Sequence, residues 1–318
     1  MKIRKILLPT DFSDCARLAQ ERAFRLARLY GAEVHFLHVV VLHDDNLTAP
    51  ISTFPESEEI SRHLTAIAEE ELLALRRGAP DITSFSHLRR GLAAAPTILD
   101  VANHENIDLI VLGAHGRRGW RRLLLGSVAE EVVRLARCPV LTVRAESPEK
   151  LAPVKQTELP SALLAPVDFS NESAAALAAA KELAAEWKAE LHVLHVIEKP
   201  VAPYYDGAQL SLRGEIDSAA VRLRIEKDLQ RFVTETDGPL PLKMRQHVVE
   251  GRAADKIAEL SGQLGGATII MATQGLRGIE AFLLGSVTEK VIRLAHGAVL
   301  VWRPLPARRG DQEADRAA

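Results

Sequence analysis

The residues best placed to do chemistry are glycines. Between Gly113 and Ser127 the chain reads GAHGRRGWRRLLLGS, with glycines at 113, 116, 119 and 126. Glycine lets a backbone N–H approach a phosphate without a Cβ in the way. Gly126 and Ser127 come just before a run in which Val128, Val132, Leu135 and Ala136 recur near the helical period. The start of a helix offers unpaired N–H groups and the positive end of its dipole. A glycine loop feeding a helix start is therefore a cradle for an anion. Arg117, Arg118, Arg121 and Arg122 crowd the same loop and could neutralise a polyphosphate, Arg117 first because it directly follows Gly116. The bland alternative is helix capping. Ser127 with Glu130, and Ser286 with Glu289, each fit an S-x-x-E capping box. Asp11 can be read as a helix-start residue or as a ligand contact.

Other chemistry is weaker. His35 and His38, like His192 and His195, suggest metal pairs at first sight. Residues three apart on a strand point to opposite faces, so these read as satisfied strand histidines and no metal site is expected. No nucleophile stands beside a base, so no catalytic residue is assigned. His115 is the loop's one candidate base for slow hydrolysis. The P-loop pattern G-x-x-x-x-G-K-[ST] is missing from the sequence.

The elements that would position the loop follow from hydrophobic patterning. Leu109 to Leu112 is apolar without alternation, as in a strand buried on both faces of a parallel sheet. Ile3 to Pro9 and Val34 to Val41 read as strands, with a helix from Ser13 to Leu29 closed by Gly31. A helix over Glu56 to Arg77, a strand over Ile82 to Leu88 and a short helix from Pro96 to His104 complete the approach. Pro139 to Val143 is the last strand of this half. Alternating strands and helices imply a doubly wound parallel sheet, in which ligands sit at the carboxyl ends of the strands. Asp11 and Gly113 would then open onto one crevice.

The pattern restarts after residue 160. Asp168, Phe169 and Ser170 repeat Asp11, Phe12 and Ser13, and LHVLHVI at Leu191 echoes VHFLHVV at Val34. Gly275, Gly278, Gly285 and Ser286 answer Gly116, Gly119, Gly126 and Ser127. Ala272 and Gln274 stand where Gly113 and His115 stood, and only Arg277 remains of the loop arginines. The near-constant offset indicates a tandem duplication. Expected boundaries are 1–146 and 161–305 for the two repeats, 147–160 for a linker and 306–318 for a flexible tail. With 318 residues, 47% hydrophobic content and a formal net charge of -2, nothing favours nucleic acid or an anionic membrane. Two cysteines, Cys15 and Cys138, read as reduced buried thiols, and the chain is expected to be cytoplasmic.

PTDFS at Pro9, HVV at His38 and G-x2-G-x9-G-S from Gly113 to Ser127 resemble the universal stress proteins, over nearly all of both halves. That resemblance implies a five-stranded sheet of order 3-2-1-4-5 in each repeat and, in one branch of the family, bound ATP, with magnesium as an optional companion. It implies nucleotide contacts at Pro9, Thr10, Asp11, Val39 and His115, and along the loop from Gly113 through Gly116, Arg117 and Gly119 to Gly126, Ser127 and Val128. In the second half the matching positions are Pro166, Asp168, Val196, Ala272, Gly275, Gly278, Gly285, Ser286 and Val287. Pairing of the two repeats through Val140 to Val143 and Val299 to Trp302 is expected, with a homodimer as a further option. The implied role is a nucleotide-responsive switch or partner in stress survival. The alternatives are a slow ATPase and a pairing module without ligand.

Overall fold

The computed structural model describes residues 2–41, 54–115, 125–144, 159–198, 218–273 and 284–304, with backbone alone at 54–61 and 218. They form two compact units.

In the first unit, β1 (Lys5–Pro9) leads to α1 (Asp14–Tyr30), β2 (Glu33–Val41), α2 (Phe54–Arg77) and β3 (Ser84–Gly91). Then come α3 (Ala94–His104), β4 (Leu109–Gly113), α4 (Ser127–Leu135) and β5 (Val140–Val143). The strands lie in the order β3-β2-β1-β4-β5, all parallel, as expected. The unalternating run does what its composition requires: Leu109 to Leu112 are all buried. With Ile6, Leu7, Leu8 and Phe36, fully shielded on β1 and β2, they form the centre of the core. Burial of each such side chain contributes about 1.5–3 kcal/mol.

A buried carboxylate aligns the two strands that carry the site. Asp108, 2% exposed, accepts the backbone N–H of Arg4 at 2.8 Å and of Lys5 at 3.0 Å. The start of β4 is thereby held beside the start of β1, and their carboxyl ends emerge together. Ser13 caps α1 by accepting from the Ala16 N–H, and Gly31 ends it at φ 61°. The expected strand over Ile82 to Leu88 is instead Ser84–Gly91, in register with Val34 to Val41. Its alternating, half-exposed face and terminal arginines disguise its end. Pro96 is the third residue of α3, inside the first turn, where a missing N–H costs no helical bond.

The second unit repeats the series as β6 (Ala162–Pro166), α5 (Asn171–Trp187), β7 (Glu190–Ile197), α6 (Ser218–Glu235) and β8 (Met244–Glu250). It continues through α7 (Ala253–Gln263), β9 (Thr268–Ala272) and α8 (Ser286–Leu294), with parallel order β8-β7-β6-β9. Five strands fall in each sequence repeat, as expected. The last strand, β10 (Val299–Trp302), belongs to the first unit. There it runs antiparallel to β5, with Val299 opposite Thr142 and Val301 opposite Val140. Thr142 donates its hydroxyl to the Val299 carbonyl at 3.2 Å. Residues 147–158 of the expected linker and 306–318 of the expected tail lie outside the described residues.

Candidate functional site

The carboxyl ends of β1, β2 and β4 open onto a crevice of 980 Å³ in the first unit. That is the size of a small-molecule site. Pro9, Thr10, Asp11, Val39, Gly113, His115, Gly126, Ser127 and Val128 all line it. Every described residue assigned to the first site from sequence is therefore gathered around one cavity. Gly116, Arg117 and Gly119, with Arg118, Arg121 and Arg122, lie outside the described residues.

The β1 side is a tightly wound turn. The Thr10 hydroxyl accepts the Phe12 N–H at 3.0 Å, and Asp11 Oδ1 accepts the Ser13 N–H at 3.1 Å. Phe12 itself is left-handed at φ 61°, an unusual state for a bulky residue. Its ring stacks on His38 at 4.7 Å, and His38 Nδ1 donates to the Thr10 carbonyl at 2.8 Å. Strand histidine, turn and aromatic ring thus brace one another, and Asp11 helps both to fold α1 and to line the crevice.

The β4 side is a clamp. The Ala114 N–H donates to the Val143 carbonyl, and the Gly126 N–H returns to the Ala114 carbonyl at 2.9 Å. The two ends of the glycine segment, Ala114 and Gly126, therefore meet. The capping-box reading fails here. The N-cap of α4 is Gly126, Ser127 is the first helical residue, and no side chain caps the end. Gly285 caps α8 in the same way, with Ser286 first in the helix. The S-x-x-E spacing is shifted one residue into each helix. First-turn amides have no carbonyl partner within a helix, so this end of α4 keeps its capacity to bind an anion.

Gly113 has a second reason to be glycine. A Cβ there would come within 3.0 Å of the Cys15 backbone carbon and of its sulfur. Close packing of α1 on β4 demands the small residue whatever binds nearby. Cys15 and Cys138 are both free and buried, and burial pushes the Cys138 thiol up to about 12. His115 Nε2 is buried and has no hydrogen-bond partner among the described residues. Burial, and then the nearby Arg144 charge, hold its pKa below the ordinary imidazole value.

Sequence reasoning missed one wall. Leu64, Ile67, Ala68 and Glu71 of α2 line the crevice, as do Ala93 to Ala95 and Ile98 around the start of α3. The signal was present, because the four α2 positions share one helical face.

In the second unit Pro166 and Ala272 end β6 and β9, and Asp168 follows β6 by two residues. Val196 lies on β7, Gly285 caps α8, and Ser286 and Val287 begin it. Phe169 repeats the left-handed turn at φ 66° and stacks on His195 at 4.4 Å. The carboxylate differs. Asp168 Oδ1 accepts both the Ser170 N–H at 3.1 Å and the Ser170 hydroxyl at 2.5 Å. Gln274, Gly275, Arg277 and Gly278 lie outside the described residues. Among the described residues no group of three or more His, Cys, Asp or Glu could hold a metal ion. Among them, too, no helix is long and apolar enough to cross a membrane.

Comparison with known proteins agrees with this duplicated architecture. A universal stress protein of Methanocaldococcus jannaschii is 34% identical over 146 residues, 44% of this chain and 82% of that protein. One from Mycobacterium tuberculosis is 27% identical over 304 residues, 94% of this chain and 96% of its own length. Among solved structures, a universal stress protein from Archaeoglobus fulgidus superposes with a TM-score of 0.61 at 23% identity, covering 94% of this chain and 96% of that one. A Pseudomonas aeruginosa protein of unknown function does so at 0.64 and 21% identity, covering 95% and 93%. The profile of the Universal stress protein family matches twice, over residues 2–144 and 161–303. This chain therefore belongs to the universal stress protein family, as a tandem two-domain member.

Proposed function

We propose that the first repeat binds an adenine nucleotide, ATP with or without magnesium, in the crevice between Asp11 and the start of α4. Bound nucleotide would set the state in which this cytoplasmic protein meets a partner during stress. The observation that carries the reading is the side-chain-free cap at Gly126, which leaves the α4 N-terminus lining the same cavity as Asp11 and Val39. The amides of Ser127, Val128 and Ala129 would hold phosphate there, with Gly116, Arg117 and Gly119 adding to the cradle. Thr10, Asp11 and Val39 would hold the nucleoside. The second repeat would bind more weakly. Asp168 Oδ1 already carries two donors from Ser170, Ala272 replaces Gly113, and three of four loop arginines are missing from its sequence. The two repeats would associate through their last strands, Val140–Val143 and Val299–Trp302.

Mass spectrometry of the gently purified full chain tests the central claim. Co-purified adenine nucleotide is the expected result. Failure to find any, together with no heat of ATP binding by calorimetry, would overturn it. One observation favours a second reading, slow hydrolysis. Among the described residues His115 Nε2 has no hydrogen-bond partner, and burial biases the ring toward the neutral base. His115→Asn should then abolish phosphate release even at ATP concentrations that saturate the variant. Equal release from both proteins would exclude that role.

A further inference from the structure

Each repeat holds a pair of imidazoles that the crevice does not use. His35 on β2 and His87 on β3 meet Nδ1 to Nε2 at 3.0 Å. His192 on β7 and His247 on β8 meet through the same atoms at 2.9 Å. In both pairs the rings lie 5.2 Å apart and nearly parallel, and His35 and His192 are 3% and 4% exposed. The strands joined are equivalent too. β3 and β8 are the outer strands beyond β2 and β7.

A hydrogen bond between two ring nitrogens needs one proton, not two. Glu33 Oε1 lies 3.2 Å from His35 Nε2, so that nitrogen donates, and neutral His35 presents Nδ1 as an acceptor. His87 must donate from Nε2, which leaves its Nδ1 to take the first added proton without breaking the contact. A second proton can only go to His35 Nδ1. There it would set N–H against N–H and two cations side by side.

The surrounding charges are mixed. Lys5 on β1 pairs with Glu33 at 3.0 Å, while Arg89 on β3 and Glu105 after α3 act on His87 with opposite signs. In the second repeat Glu190 lies 3.8 Å from His192 Nε2 but is also bound by Arg245 at 2.6 Å, and Lys243 is near. Burial is the first cause holding His87, His192 and His247 below the ordinary imidazole range. His87, His192 and His247 thus resist the charge that an undocked strand would accept freely.

We propose that the paired histidines are an acid-operated latch, one per repeat. Double protonation of a pair breaks its hydrogen bond and frees β3 from β2, or β8 from β7. The sign follows from linkage. The released strand binds more protons than the docked one, so docking weakens as pH falls below the ordinary imidazole value of about 6.5. In the first repeat β3 runs through Gly91 into Ala93 to Ala95 of the crevice wall, so release there would reach the cavity. The latch does not depend on what the crevice binds.

Hydrogen exchange on the full chain between pH 7.5 and 5 tests it, with intrinsic rates corrected at each pH. Protection of Ser84–Gly91 and Met244–Glu250 should fall by up to about tenfold per pH unit for each proton taken up. Glutamine donates to the neutral ring, offers its oxygen to the protonated ring when the amide turns over, and does not itself titrate. In His87→Gln the fall should vanish from β3 and persist in β8, and in His247→Gln the reverse. PH-independent protection in the parent, or an unchanged fall in the matching variant strand, would overturn the latch. Should a variant fail to fold, imidazole nitrogen shifts of the parent provide the second reading. Rings that become doubly protonated while both outer strands stay protected would overturn it equally.

Discussion

Replacing Asp11 by asparagine separates the two tasks of that side chain. Its Oδ1 accepts the Ser13 N–H at 3.1 Å, and Ser13 in turn caps α1. Asparagine keeps an oxygen for that bond, so α1 should start as before. The charge is lost. If the carboxylate accepts a hydrogen bond from the nucleoside, the loss is that of a charged bond, about 1.5–3 kcal/mol. Affinity for ATP should therefore drop by about 10- to 150-fold. Asp11→Ala removes the turn acceptor as well, which adds about 1 kcal/mol of instability. Calorimetric titration with ATP, paired with thermal unfolding, reads both effects. The expected pattern is weak binding in both variants with a lowered melting temperature in the alanine variant alone. Parent-like affinity in Asp11→Asn would refute the carboxylate contact, whatever happened to stability.

Other outcomes follow from packing. Gly113→Ala should cost about 1–3 kcal/mol in urea unfolding, because its Cβ meets Cys15 at 3.0 Å; an unchanged midpoint would show that α1 yields easily. Lys181, 1% exposed, donates to the Val233 and Thr236 carbonyls at 2.7 Å each at the end of α6. Lys181→Met leaves both acceptors without their donor and should destabilise the second unit by about 2–4 kcal/mol, seen as an earlier unfolding transition for that unit. Val299→Pro removes a backbone donor near the start of β10 and should raise hydrogen exchange in Val140–Val143; exchange equal to the parent would show that this N–H does not serve the ladder.

Much of the fold was legible because its signals are local and repeated. The buried β4 announces itself through four apolar residues without alternation, and the turn after β1 appears twice with the same Asp-Phe-Ser series. What sequence could not supply was position to within one residue. A capping box and a glycine-capped helix share the S-x-x-E spacing, and only the backbone shows that Ser127 and Ser286 lie inside the helix. The α2 wall was hidden differently. Its leucine and alanine spacing suits any amphipathic helix, and whether such a face meets core or cavity is decided by tertiary packing.

Repetition of a motif is also weaker evidence for repetition of a site than it looks. Asp11 and Asp168 occupy the same turn, but their neighbours differ at one helical position, Ala16 against Ser173. Ala16 offers only its N–H to the Ser13 hydroxyl. Ser173 offers its N–H to the Ser170 oxygen, donates its hydroxyl to the Ser170 carbonyl and accepts the Asp168 N–H. The Ser170 hydroxyl donates onto Asp168 Oδ1 at 2.5 Å. A carboxylate oxygen that already accepts two bonds from its own turn is a poorer acceptor for anything in the crevice. The duplicated turn is thus kept as a fold element in both repeats, while in the second one Ser173 ties the turn to its helix through two hydroxyl contacts that Ala16 cannot make, and Ser170 occupies the carboxylate oxygen.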